Sequence, residues 1–172
     1  MTAVRERYFS AEWEWACCGG PLHVGDLAEL RVRRDSEYAR SMRAELAGAM
    51  PEPLAGIETH HEDDDGDVPI EAREGRVVAL HAVIEDMRWT VTPRMTAEPV
   101  ARSLGDDRSA AAGQTAPGRA SGERVASTSR IVPLSVVPDV GAIPSDEAPD
   151  PAVFGEQVRP HLAGYLITIS PS

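Results

Sequence analysis

The sequence contains no lysine: all 17 of its basic residues are arginine, and they are outnumbered by 28 aspartates and glutamates. The resulting net charge of −11 repels phosphate backbones, so no general nucleic-acid surface is expected. No stretch approaches the ~18 consecutive apolar residues that a membrane helix needs. Nor does the chain open on a cationic start and an apolar run. "MTAVRERYFSAEWEW" is charged throughout, which predicts no secretory leader and a cytoplasmic protein. Cysteine is scarce as well. The two present, Cys17 and Cys18, are adjacent; they make no disulfide framework, and a reducing compartment would keep them as thiols. No G-x-S-x-G elbow and no glycine-rich strand-to-helix loop occurs, so the pattern leans away from an enzyme.

What is present is a set of short apolar alternations. Phe9, Ala11, Trp13 and Trp15 share one parity, and Tyr8, Ser10, Glu12 and Glu14 share the other. Period two predicts a strand with one buried and one wet face. "CCGGP" follows with turn chemistry. Ala28, Leu30 and Val32 then alternate with Glu29, Arg31 and Arg33, so the two segments read as a hairpin with a bend at Gly25-Asp26. "RVRR" at 31–34 reads as a solvated strand end. Over residues 36–49 the period changes. Tyr38, Met42, Leu46 and Ala49 form one helical stripe, with Asp35 or Ser36 as cap and Gly48 and Pro51 as the stop.

"IETHH" reads as a short strand that runs into the acidic "EDDDGD". From Val77 to Ile84 apolar residues occupy both parities, as in a central strand covered on both sides; Met87, Trp89 and Val91 continue it with one face wet. Residues 101–129 carry no apolar period and read as a flexible insertion. "RIVPLSVV" resumes as an edge strand, because Pro133 cannot donate to a ladder. A loop rich in proline and acid covers 138–160, and "HLAGYLITIS" closes the chain as a strand in which Tyr165, Ile167 and Ile169 alternate with Leu166, Thr168 and Ser170. The expected fold is mainly β, one domain over 1–172: a small twisted sheet or partly closed SH3-like barrel with one short helix.

Trp15, Cys17, Cys18, Gly19, Pro21, Val24, Gly25 and Asp26, with the Gly75-Arg76-Val77 and Gly164-Tyr165-Leu166 strands, resemble the pattern of a family of small actinobacterial proteins of unknown function. Leu22 and Leu27-Ala28 depart from it, where an aromatic and bulkier apolar residues are expected. The resemblance supports the fold and implies no activity.

In a strand, adjacent residues point to opposite faces, so Cys17 would be buried and Cys18 would line the corner, with no ion bound. The alternative is a zinc or thiol-redox centre. Cys17 and Cys18 would then be joined by His23 across the turn and by His60 and His61 from the third strand, although the spacing matches no standard finger. The acidic run fails the calcium-loop template at its first and twelfth positions, His61 and Ala72, and reads as a solvated loop. His81, alone in an apolar strand, reads as a core residue. The overall expectation is a non-catalytic binding or accessory module for a protein or small ligand.

Overall fold

The computed structural model describes residues 4–50, 52–61, 68–93, 119–138 and 149–171. Its elements are, in chain order, β1 (Glu6–Ala11), α1 (Glu12–Cys18), β2 (Leu22–His23), β3 (Leu27–Arg33), α2 (Glu37–Leu46), β4 (Gly56–Glu58), β5 (Glu71–Thr92), β6 (Arg119–Arg124), β7 (Arg130–Leu134), β8 (Val136–Val137) and β9 (Gly155–Pro171). The mainly β fold read from the sequence is what forms.

β5 and β9 are the spine. They pair antiparallel from Gly75↔Pro171 to Val91↔Gly155, with register shifts at Val77/Ala79 and Val83/Ile84. The other edge of β5 takes three partners in turn: β3, then β7, then β6. β9 also pairs antiparallel with β1, and β1 pairs parallel with β4, which meets β3. Hydrogen bonding therefore returns on itself through β3, β4, β1, β9 and β5. The paired arm of β5 and β9 runs on past this ring, so the whole is a twisted mixed sheet and not a clean barrel. β2 and β8 form a separate two-stranded ribbon.

The expected hairpin does not form. The strand ends at Ala11, and the chain from Glu12 to Cys18 is helical, so β1 pairs with β4 and β9 instead of with β3. Seven residues with glutamate at alternate positions are ambiguous in period. Glu12 and Glu14 also suit the first helical turn, where the macrodipole favours negative charge. The supposed wet face of β1 is buried too: Tyr8 and Ser10 are both inaccessible.

The reason is that β1 and β9 carry a core on each face. Phe9 and Leu166 pack with Met42 and Leu46 of α2. Tyr8, Tyr165, Ile167 and Ile169 pack on the opposite side with Trp15, Leu30 and Val32. Leu166 and Thr168, which alternate with these residues on β9, are buried as well. α2 is close to its expected span, with Ser36 Oγ accepting from Ala39 N at 3.0 Å, and β7 keeps Pro133 on a strand whose one sheet partner among the described residues is β5.

Residues 119–124 of the expected insertion form β6 against β5, with every residue exposed, while 101–118 lie outside the described residues. Likewise 155–160 belong to β9, not to a loop, and 139–148 lie outside the described residues. So does the acidic run 62–67.

Candidate functional site: a carboxylate-floored cleft beside a thiol pair

The end of β4 and the helix α1 meet over two buried carboxyls. Glu14 turns inward from α1 and is 6% accessible; Glu58 closes β4 and is 4% accessible. Glu14 accepts from the Thr59 hydroxyl at 2.9 Å and from the His60 backbone N–H at 2.8 Å, so the helix is tied to the segment that leaves β4. Glu58 accepts from the Ser10 hydroxyl at 2.7 Å, and its other oxygen lies 3.1 Å from His60 Nε2.

Burial pushes the Glu58 carboxyl up to about 7; the Ser10 hydrogen bond opposes this, and the charge of Glu14 adds to it. His60 moves the other way, because burial disfavours its charged ring, with Glu14 opposing. Burial thus favours the neutral form of both groups.

Beside this pair opens a cleft of about 600 Å³. Trp13 and Glu14 border it from α1, Glu37, Tyr38 and Ser41 from α2, and Ile57, Glu58, Thr59 and His61 from β4 and beyond. Arg33, Arg124 and Ala11 also line it. The "RVRR" segment is therefore not a solvated strand end. Arg33 is buried, and Arg34 bonds Glu6 at 3.0 Å and the Tyr8 hydroxyl at 3.2 Å.

Trp13 and Trp15, expected on one buried face, separate. Trp15 is buried, bonds Pro138 O at 3.1 Å and packs edge-on to Tyr165. Trp13 is 53% accessible and stacks on the His61 ring, centroids 5.6 Å apart.

The thiols are where the sequence expectation fails most clearly. Cys17 is exposed, like Cys18. Helical neighbours are ~100° apart and not opposed, so the two sulfurs face the same side, 3.0 Å from each other. A nitrogen of His61 joins them, the three ligand atoms lying within 4.8 Å of one another. The remaining candidates stay apart. His23 is exposed at the end of β2, 3.4 Å from Asp26, and His60 faces Glu58 and the edge of Trp15. His81 is half-buried on β5, where burial disfavours the charged form of its ring.

Glu14 and Glu58 were not found from sequence. The available signal was the spacing of Glu14 from Cys17 and Cys18, three and four residues, which shares a face only if the segment is helical.

The architecture and its cleft thus define a mainly β protein with a long β5–β9 spine and a pocket, lined by charged and aromatic side chains, between α1, α2 and β4. The chain belongs to a family of unknown function (DUF6578), whose model matches residues 5–171. No curated protein and no solved structure matches it.

Proposed function

We propose that the protein is a non-catalytic binding module whose ligand is a small, partly apolar molecule carrying N–H donors, seated in the cleft between α1 and α2. One observation carries the reading: the buried Glu58 carboxyl lies under a cleft edged by the Trp13 and Tyr38 rings. A volume of about 600 Å³ suits a small molecule, and the lining sets charged side chains beside the Trp13, Tyr38 and Ile57 surfaces, which together could orient one. An amine or amidine would find acceptors in Glu58 and Glu14 and a ring face in Trp13. Two exposed free thiols suit a reducing compartment, so a cytoplasmic location belongs to this reading.

Tryptophan fluorescence titration with benzylamine and tryptamine, and with the matching carboxylates, tests it. Saturable binding of the amines, weakened about tenfold by Glu58→Gln and by Trp13→Ala, is expected. A preference for the carboxylates, or amine binding indifferent to both substitutions, would overturn it.

A further inference from the structure

We propose that Cys17, Cys18 and His61 form a three-ligand site for a thiophilic divalent ion such as Zn²⁺ at the rim of the cleft. The proposal goes beyond the cleft ligand and stands without it. Two thiolates and an imidazole select borderline-soft ions over Mg²⁺ or Ca²⁺, which take oxygen ligands.

The geometry is close to what such an ion needs. Two sulfurs on one tetrahedral Zn²⁺ stand about 3.8 Å apart at ~2.3 Å bond lengths. The present separation is 3.0 Å, so the thiols must part by under an ångström, and both are exposed and free to turn. On binding, each thiol gives its proton to water as its sulfur–metal bond forms. With three protein ligands, a fourth position stays open for water or another donor.

The histidine is also hemmed in by its neighbours, which limits how far its ring can move. Trp13 stacks on the His61 ring at an interplanar angle of 21°. The Glu14 carboxylate lies 4.0 Å from His61 Nε2. Arg31 and Arg33 donate to the carbonyls of His60 and His61, each at 3.5 Å. Glu14 precedes the two cysteines by three and four residues, so one helical face supplies the thiols and braces the histidine. This convergence is absent from a strand, and it is what removes the parity objection to a common ion.

The full chain, reduced with a phosphine that does not bind metal, is titrated with Co²⁺ and then Zn²⁺. The expected result is one Co²⁺ per chain with thiolate-to-cobalt charge-transfer absorption, displaced by Zn²⁺. Cys17→Ser, Cys18→Ser and His61→Ala each weaken binding by about tenfold or more, and His23→Ala leaves it unchanged. Near-UV circular dichroism confirms that the variants fold. Undiminished affinity in Cys18→Ser or His61→Ala, or Co²⁺ uptake without the sulfur band, would overturn the site. So would absence of uptake by the reduced protein together with loss of both thiols in air, which would assign a redox pair instead. Glu58→Gln, which weakens cleft binding, leaves metal uptake intact, so the two readings fail separately.

Discussion

Glu58 holds its carboxyl where charge is penalised, and this gives the protein a predictable response to pH. Its folded-state value is raised from 4.5 to about 7, so the folded chain favours the neutral form. The stability linked to this group is fully present below about pH 4.5 and is lost as pH rises through about 7. The whole effect is roughly 3 kcal/mol. Glu58→Gln should accordingly flatten the decline in unfolding free energy between pH 5 and pH 8, measured by urea denaturation. An unchanged decline would place the titration elsewhere. The two tryptophans of α1 make a second contrast at this scale. Trp15→Ala empties a core position and breaks the bond to Pro138, so it should cost roughly 3–5 kcal/mol. Trp13→Ala, at a half-exposed ring, should shift the melting temperature little while altering the cleft. Equal losses for the two would contradict the helical placement of the segment.

At the level of elements, two local contacts decide whether helix and strand seat correctly. α2 begins on Ser36, whose hydroxyl accepts from Ala39 N while the residue itself is inaccessible. Ser36→Ala should cost about 1–2 kcal/mol by chemical denaturation, since a buried N–H is left unpaired as well as uncapped. Gly164 sits where β9 passes β1, beside the register shift at Val83/Ile84. A β-carbon there would come within 2.2 Å of Ser10 O and 2.8 Å of the Phe9 ring. Backbone cannot give way as a side-chain tip can, so Gly164→Ala should destabilise by about 1–3 kcal/mol or more. A melting temperature equal to that of the unmodified chain would mean that β1 and β9 are less closely apposed.

For the whole molecule, the decisive feature is a sheet buried on both faces. Leu166 points into the α2 side and Ile167 into the other, yet they are neighbours on one strand. Leu166→Ala and Ile167→Ala should each cost about 2–5 kcal/mol and shift one common thermal transition. Two separate transitions in calorimetry would show that the cores melt independently. The sequence by itself determined the mainly β character, the apolar spine strand β5, the span and cap of α2 and the edge placement of β7. Each of these follows from short-range period, or from what proline and serine do to their own backbone. Tertiary structure alone decided the rest. The segment from Glu12 to Cys18 is too short for period to separate strand from helix, and its contacts with β9, β1 and the residues just past β4 settle the matter. Which strands pair, and that both faces of β1 and β9 are covered, depends on partners far along the chain. The site follows from the same contacts: Glu14, Glu58, His61 and the two thiols converge only because α1 is a helix, turned so that it packs across the end of β4.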